Sequence, residues 1–462
     1  MRKLILNSVL AAFVLTATAQ EKEQPPQGGE PKDFKLPEKQ EITLENGARL
    51  VMVPYGAIPK ATVNITVKTG NIHEKENEVW LSDLVGDLME EGSITKDARA
   101  ISDTMASMGG NLNISVSSHA TTLNTNVLSE FTPKAITTMA DVLMHPKWPE
   151  SELDRLKNDM KRNLSVRMSR PQAQVTKEFY ASVYPDHPYG RVYPTDEMID
   201  SYTTEDIKKF YADNFGAKRT VIYVVGKFDT AAVEKAVKDA FSSWTEGPEV
   251  SYPVARAVTK NTVKIIDRPG APQSTIMYGL LAADPSNPDY LALDITNSLL
   301  GGSFGSRITS NIREDKGYTY SPYSNLDSRY KTGVWYEAAD VTSEFTGPSI
   351  AEIKKEIVRL QEEAPAKEEL EGIKNYESGI FVLRNSTPGG IIGQLNFLDL
   401  HELPESWLKD KVKNIYAITP EQVQEMTKKY IRPEDMTLIV VGDKEKIKDQ
   451  VEETLDKSSL KE

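Results

Sequence analysis

An internal repeat is the feature of this sequence that most constrains its fold. The segment ELDRLKN at Glu152–Asn158 recurs as ELEGIKN at Glu369–Asn375, 217 residues later. Three further pairs keep this spacing to within one residue: Pro171 and Pro388, TTEDIKKFY at Thr203–Tyr211 and TPEQVQEMT at Thr419–Thr427, and the apolar runs TVIYVVG and TLIVVG that end at Gly226 and Gly442. Four markers in one register predict two copies of one structural unit.

Each copy combines strand patterns with helix patterns. β-Branched and apolar residues alternate with polar ones in ARLVMVPY and ATVNITVKTG of the first copy, and in TVKIIDR and QSTIMYGLLA of the second. Long amphipathic helices, further strands, a helix with a Thr cap and an apolar closing strand follow. This order predicts an α+β fold of two homologous halves, each with helices packed on one face of a mostly antiparallel sheet.

A short segment without helical periodicity separates the two copies. Residues 246–262, EGPEVSYPVARAVTKNT, contain Pro248 and Pro253, and we interpret them as a linker. The first half then covers residues 40–245, and the second half covers residues 263–462.

The first nineteen residues have the pattern of a secretory signal peptide. Arg2 and Lys3 precede a largely apolar stretch, Leu4–Val14, and Ala17–Ala19 offers small residues for cleavage. The apolar stretch is shorter than the roughly 20 residues that span a bilayer comfortably. Residues 20–39 are polar and rich in Pro, Gly, Glu and Gln, which predicts a disordered lead-in. We therefore expect a periplasmic protein without a stable membrane anchor.

Composition excludes several further classes. The chain contains no cysteine, so it holds no disulfide and cannot be anchored by lipid on an N-terminal cysteine. Its net charge is −13, and removal of Arg2 and Lys3 with the signal peptide brings it to −15. A nucleic-acid partner requires a basic surface, so this charge argues against one.

The segment WLSDLVGDLMEEGS at Trp80–Ser93 predicts a buried helix, because its apolar residues fall on one helical stripe. On this helix Asp83, Gly86 and Asp87 occupy relative positions 1, 4 and 5. A buried amphipathic helix with two aspartates is common, so the helix alone indicates no function.

The surrounding sequence resembles the pitrilysin, insulin-degrading-enzyme and mitochondrial-processing-peptidase family over essentially everything after residue 40. The resemblance rests, in this order, on ITLENGARLVMVP, TGNIHEKENEVWLSDLVGDLMEEGS, HPYGRVYPTDEMIDSYTTEDIKKFY and LLGGSFGSRITSNIREDKGYTYS. It implies two homologous α+β halves that form a clam-like chamber with a second chain of the same type. Members of this family are zinc peptidases, whose His-x-x-Glu-His motif supplies two metal ligands and a general base.

The resemblance also implies that the zinc site of this chain is degenerate. Asp83 and Asp87 stand at the positions of the two histidines, Gly86 stands at the position of the glutamate, and the distant third ligand falls on or beside Asn163. Zinc prefers imidazole nitrogen over a hard carboxylate site, and Gly86 has no side chain to accept a proton. We therefore expect no catalytic residue and no metal ligand in this chain. We interpret Asp83 and Asp87 as a solvated acidic face rather than a site for another cation.

A second pair of residues matches the family in the second half. In REDKGYTY, Arg313 and Tyr320 stand where the resemblance implies an Arg/Tyr pair that reaches across the chamber to substrate bound on the opposite half. A guanidinium and a phenol can donate hydrogen bonds to a peptide carbonyl and its developing oxyanion. Tyr318 and Tyr323 are alternative donors. Without the motif, Arg313 would be interpreted as a surface ion pair and Tyr320 as a half-buried strand aromatic.

Other patterns indicate no chemistry. HELPE at His401–Glu405 lacks the second histidine of a zinc motif, and Pro404 would break the required helix. GGSFGS at Gly301–Ser306 lacks the lysine of a phosphate-binding loop and predicts a flexible turn, although the resemblance allows such a turn to line the chamber. The remaining histidines stand singly, without a partner at ligand spacing, and His187 is interpreted as structural: His73, His119, His145 and His187.

These observations predict a non-catalytic subunit of a periplasmic heterodimeric zinc metallopeptidase that degrades peptides or unfolded polypeptides. The partner would be a homologous chain with an intact motif and the zinc ion, while this chain would hold no cofactor and would supply Arg313 and Tyr320. The alternative is a zinc-free homodimer that binds peptides or acts as a scaffold, with no role in proteolysis. A hydrolase that uses another metal at Asp83 and Asp87 is the weakest hypothesis, because no base replaces Gly86.

Overall fold

The computed structural model describes residue 35, residues 37–256, residue 258 and residues 261–456. These residues belong to one compact unit. The predicted signal peptide, residues 1–19, lies outside the described residues, as does most of the predicted lead-in. In the described part of the chain, the helices are too short or too polar to cross a membrane.

The strands form two sheets. The first sheet contains β1 (Gln40–Thr43), β2 (Arg49–Pro54), β3 (Lys60–Val67), β4 (Asn113–Val116), β5 (Thr121–Leu128) and β6 (Thr220–Gly226). The second contains β7 (Val263–Asp267), β8 (Gln273–Ala282), β9 (Tyr323–Arg329), β10 (Thr332–Thr342) and β11 (Thr437–Gly442).

The two sheets share one topology. The strand order is β1-β2-β6-β3-β5-β4 in the first sheet and β7-β11-β8-β10-β9 in the second. One pair in each sheet is parallel, β2 with β6 and β7 with β11, and the other pairs are antiparallel. Without β1, the two orders superimpose strand for strand. The predicted α+β fold with two homologous halves is therefore confirmed.

The helices follow the same repeat. The first half contains α1 (Leu81–Glu90), α2 (Ala98–Ser107), α3 (Thr132–Met144), α4 (Glu150–Met168), α5 (Pro171–Val183), α6 (Asp196–Ser201), α7 (Thr204–Asn214) and α8 (Thr230–Phe241). The second contains α9 (Tyr290–Asn297), α10 (Arg307–Thr309), α11 (Thr346–Glu362), α12 (Lys367–Arg384), α13 (Pro388–Leu400), α14 (Ser406–Lys409), α15 (Lys411–Ala417), α16 (Pro420–Tyr430) and α17 (Lys444–Asp456), with π-helical turns at Ser298–Gly302 and Ser310–Asp315.

The repeated sequence markers form the same local structures. Thr203 and Thr419 each cap a helix, α7 and α16, through a capping box with the third helical residue. Pro171 and Pro388 each occupy the first turn of a helix, α5 and α13, where a missing backbone N–H costs nothing.

Each sheet is covered on both faces, on one face by a helix from the other half. Ile222 and Val224 of β6 pack against helices of their own half, whereas Val221, Tyr223 and Val225 pack against α13. Conversely, α5 of the first half packs on β8, β10 and β11 of the second sheet. This exchange explains why β6 and β11 are buried at every position, because a strand covered on both faces has no polar side.

Candidate functional site

Helix α1, which carries the degenerate motif, packs tightly beneath the edge of the first sheet. Leu84, Val85 and Leu88 are fully buried in the core of the first half. A Cβ atom at Gly86 would lie 3.0 Å from Cγ2 of Val116, in the edge strand β4. A side chain at this position would therefore require Val116 to shift by a few tenths of an ångström. Glycine itself has no group that could act as a general base.

Asp83 is engaged in a hydrogen bond inside the protein. Nδ2 of Asn71 donates to Oδ2 of Asp83 over 2.6 Å. Burial raises the pKa of Asp83 to about 6, even though the bond from Asn71 and the positive charge of Arg167 oppose that shift. The carboxyl group at the first former ligand position thus has a structural partner.

Glu74 is a site residue that the sequence did not reveal. Its Oε1 accepts from the backbone N–H of Ser82 at 2.9 Å and from Asn71 at 3.1 Å, and its Oε2 accepts from the backbone N–H of Trp80 at 3.1 Å. Burial raises the pKa of Glu74 to about 8, and the charge of Asp83 adds to the rise. The side chain satisfies free N–H groups at the start of α1, as a capping residue does. It lies six positions before Trp80, outside the usual capping pattern.

Asp87, one turn after Asp83, lies in an acidic environment. Its side chain reaches the surface, but partial burial raises its pKa to about 6, and the negative charges of Asp83, Glu90, Asp159 and Glu91 raise it further. An ionised carboxyl group in this setting is repelled by the neighbouring carboxylates and is not paired with a positively charged side chain.

Asn163 lies on α4, which packs against α1, and is exposed to solvent. Arg155 of the same helix ties α4 to the end of α1 by an ion pair with Glu91. The four positions that the resemblance assigns to the zinc site thus provide two carboxyls, an amide and a glycine, and none of the imidazole nitrogens that zinc prefers. Within the described residues, no group of three or more histidine, aspartate or glutamate side chains is arranged to hold a metal ion. This donor set does not fit zinc.

The structure brings Arg313 and Tyr320 together. Cζ of Arg313 lies 5.0 Å from the centroid of the Tyr320 ring, which is 81% exposed. It also lies 4.4 Å from the ring of Phe304, in the GGSFGS segment. Two aromatic rings therefore hold the guanidinium by cation–π contacts. The sequence predicted a flexible turn here, which the resemblance allows to line the chamber, and it gave no signal for Phe304.

The alternative tyrosines are less available. The ring of Tyr318 stacks on Phe345 with centroids 4.4 Å apart. Tyr323 lies in β9, half exposed, and packs edge-on against Tyr336. Burial raises the pKa of Tyr323. Of the three hydroxyl groups, that of Tyr320 is the most accessible.

The fold and the site together define a protein with two homologous α+β halves and no histidine on helix α1. A family model described as "Insulinase (Peptidase family M16)" matches residues 51–194, and one described as "Peptidase M16 inactive domain" matches residues 201–376. The chain belongs to peptidase family M16, and the predicted family membership is confirmed.

Known proteins of this family resemble the chain over most of its length. It is 24% identical to the "Uncharacterized zinc protease YmxG" of Bacillus subtilis, over 78% of this chain and 93% of that protein. It is 21% identical to the "Non-peptidase homolog YmxG" of Helicobacter pylori, over 85% of this chain and 91% of that protein. The relatives of this chain thus include proteins described as zinc proteases and one described as a non-peptidase homologue.

Solved structures share the fold. A peptidase M16 inactive domain from Pseudomonas fluorescens matches with a TM-score of 0.80 and 23% identity, over 87% of this chain and 98% of that chain. A protease from Helicobacter pylori matches with a TM-score of 0.81 and 18% identity, over 88% of this chain and 100% of that chain.

Proposed function

We propose that this chain is the non-catalytic subunit of a periplasmic heterodimeric zinc peptidase. The observation that carries the proposal is the contrast between the two family sites. At the former zinc site, Gly86 packs against Val116 and Asp83 is bonded to Asn71. Tyr320, in contrast, is 81% exposed and lies 5.0 Å from Cζ of Arg313, whose side chain also pairs with Glu314 at 3.2 Å.

The Arg313 site suits binding of a peptide held by another chain. Stacking against Phe304 and Tyr320 limits the conformations of a long side chain, so less entropy is lost when it binds. The guanidinium and the phenol could then donate hydrogen bonds to a peptide carbonyl at the partner's zinc ion. The partner would be a homologous chain that carries the His-x-x-Glu-His motif and the zinc.

The peptide would bind by strand addition. Strand β4 ends the first sheet and β9 ends the second, so each has one side without a neighbouring strand, and in β4 Glu90 already accepts the backbone N–H of Ile114. Main-chain hydrogen bonds to such an edge need little sequence specificity, which suits degradation of diverse peptides or unfolded polypeptides.

The experiment that tests the proposal is an affinity purification of the tagged, exported chain from its own cells, with zinc measured in the eluate. A co-purifying homologue with His-x-x-Glu-His and about one zinc ion per pair is the expected result. Recovery of the chain alone and free of metal would contradict it and favour the homodimeric binding or scaffold protein.

A further inference from the structure

A glutamate lies in the core of the second half without a hydrogen-bond partner. Glu337 of β10 is fully buried, and neither of its carboxyl oxygens forms a hydrogen bond with the described residues. Burial raises the pKa of Glu337 well above its ordinary value. The backbone N–H of Tyr323 approaches the group and opposes this shift, but without the geometry of a hydrogen bond. A buried carboxyl group of this kind is rare in folded proteins, because burying a polar group without a partner is unfavourable.

The fold does not require a glutamate at this position. The segment VTSEF at Val341–Phe345 repeats VLSEF at Val127–Phe131, 214 residues earlier. The strands that lead into these segments, β10 and β5, each pair with their neighbours in an unbroken antiparallel register. Glu337 of β10 therefore corresponds to Leu123 of β5, which is fully buried in the core of the first half. The first half thus fills the equivalent position with an aliphatic side chain.

The carboxyl group of Glu337 meets a second side-chain oxygen beside a glycine. A Cβ atom on Gly301 would lie 2.5 Å from Oε2 of Glu337 and 2.6 Å from Oγ of Ser324. Gly301 belongs to the π-helical turn Ser298–Gly302. Ser303, which follows this turn, also has a buried hydroxyl group without a hydrogen-bond partner among the described residues. A carboxyl and a hydroxyl oxygen thus approach each other at a position where the chain has no side chain.

The nearest donors are already used elsewhere. The hydroxyl group of Ser324 donates its proton to Oδ1 of Asn297 at 2.7 Å, and Nε1 of Trp335 donates to the same oxygen at 2.9 Å. A hydroxyl group has one proton, so Ser324 has none left to donate to Glu337. Its oxygen keeps lone pairs, however, and lone pairs bind cations. This arrangement suits a cation between the two oxygens better than a hydrogen bond.

The charge of the site indicates which kind of cation would fit. Oxygen atoms are the usual ligands of hard metal ions. A divalent ion is commonly held by several carboxylates, and the described residues contain no group of three or more histidine, aspartate or glutamate side chains arranged to hold a metal. A monovalent ion matches the single negative charge of Glu337. It would turn an isolated buried charge into a buried ion pair.

We propose that Glu337 and the hydroxyl oxygen of Ser324 bind a monovalent metal cation, sodium or potassium, beneath the turn Ser298–Gly302. The cation balances a buried charge for which the described residues supply no partner. It also ties β10 to the turn that precedes Phe304. This inference goes beyond the proposed peptidase role and does not depend on it, because it concerns the core of the second half.

The stability of the full chain should then depend on these two cations. Urea denaturation is measured at constant ionic strength while choline chloride, whose cation is large and organic, is replaced by sodium or potassium chloride. A cation that binds only the folded chain lowers the unfolding equilibrium constant by up to about tenfold for each tenfold rise in its concentration above Kd. We expect this decrease with at least one of the two metal ions. An unfolding constant that is the same in all three salts would overturn the proposal.

Two substitutions assign the effect to Glu337. Glu337→Gln keeps the shape of the side chain but removes its charge, and Glu337→Leu introduces the residue type of the equivalent position, Leu123. The cation dependence should disappear in both variants. In choline chloride, Glu337→Leu should be at least as stable as the unsubstituted chain, because it removes a buried polar group without a partner. The leucine variant therefore decides the test even if the glutamine variant does not fold. A cation dependence equal to that of the unsubstituted chain in either variant would overturn the proposal and indicate that a proton neutralises Glu337.

The matched control is Glu356→Gln, at another buried glutamate of the second half. Glu356 is 5% exposed, but its Oε1 accepts a hydrogen bond from Nδ2 of Asn311 at 2.7 Å, so it has a partner within the chain. This variant should keep the cation dependence of the unsubstituted chain. Loss of the dependence here as well would show a general effect of buried carboxyl groups and overturn the assignment to Glu337.

Binding can also be observed directly by NMR of the sodium nucleus. Sodium that exchanges with a site on a large protein relaxes faster than free sodium, so its resonance broadens. The unsubstituted chain should broaden the resonance more than Glu337→Leu does at the same concentration, since other carboxylates at the surface are the same in both proteins. Equal line widths, together with a stability that potassium does not change, would overturn the proposal.

Discussion

At the scale of single residues, Arg313 and Tyr320 carry the proposed function. In the complex with a zinc-bearing partner, we expect Arg313→Ala and Tyr320→Phe to lower kcat/KM by about 100- to 1,000-fold, the usual cost of removing one donor to a developing oxyanion. The complex should stay assembled, because Tyr320 is 81% exposed and not part of a core. Peptide cleavage and size-exclusion chromatography measure the two effects.

Matched substitutions make this test specific. Tyr323→Phe removes a neighbouring half-exposed hydroxyl, and Arg99→Ala removes an arginine whose side chain is 92% exposed. Both should leave turnover within about twofold of the unsubstituted complex. Unchanged rates in Arg313→Ala and Tyr320→Phe would exclude a role in trans.

Gly86 gives a second prediction at this scale. Gly86→Glu restores the side chain of the general base, but its Cβ would lie 3.0 Å from Val116. We expect the free energy of unfolding to fall by about 1–3 kcal/mol, as for other overpacked positions. Urea denaturation measures it. Gly372→Glu, in α12 with open space around its Cβ, is the control and should have a much smaller effect. Equal effects in both variants would show that α1 accepts the glutamate.

Single residues also show what the sequence could and could not predict. The replaced motif was visible because the surrounding sequence resembles a zinc peptidase family, and this resemblance places Asp83, Gly86 and Asp87 at the motif positions. Glu74 and Phe304 act through side-chain contacts across loops, and their sequence neighbours give no periodic signal. His73 and His187 each lie close to a carbonyl oxygen of residues 246–262, 178 and 66 residues away along the chain, and no local pattern indicates these contacts. The family resemblance therefore indicated the former site but not the residues that support it.

At the scale of elements, the start of α1 depends on a buried carboxyl group. The folded-state pKa of Glu74, about 8, exceeds its ordinary value of 4.5. The folded chain therefore binds more protons than the unfolded chain between these pH values, so this group's contribution to stability is complete below pH 4.5 and is lost as the pH rises through 8.

The variant Glu74→Gln removes this titration. We expect the stability of the unsubstituted chain, measured relative to Glu74→Gln by urea denaturation, to decrease steadily from pH 5 to pH 8. Taking the difference at each pH cancels the titration of groups outside this cluster, such as Asp87, whereas Asp83, whose charge acts on Glu74, contributes to the difference. The control is Glu78→Gln, at a carboxylate that pairs with Lys75 near the surface. A stability difference that does not change with pH would contradict the prediction.

At the scale of the whole molecule, the exchange of helices joins the two repeated halves into one compact unit. The repeat itself predicted two α+β copies, and each could have been expected to cover its own sheet. Nothing in the periodicity of α5 or α13 shows which sheet it covers, because both sheets present equivalent apolar faces. The exchange leaves Val221, Tyr223 and Val225 without cover if the second half is absent.

The last prediction concerns the packing of a helix from each half on the sheet of the other half. Ile391 of α13 is 1% exposed and packs on the first sheet, although it belongs to the second half of the sequence. Ile391→Ala should destabilise the chain by about 2–5 kcal/mol, the range for truncation of a large buried aliphatic side chain. Hydrogen exchange measured by mass spectrometry should then show lower protection in β2 and β6, more than 150 residues away in the sequence.

Val358→Ala provides the control, because this valine of α11 is 36% exposed. It should leave the protection of β2 and β6 unchanged. If Ile391→Ala lowered protection only in the second half, the two halves would be independent folding units despite the exchange. Loss of protection at the same urea concentration in both sheets would instead show that each half completes the core of the other. This mutual dependence would explain why the two copies remain joined in one chain.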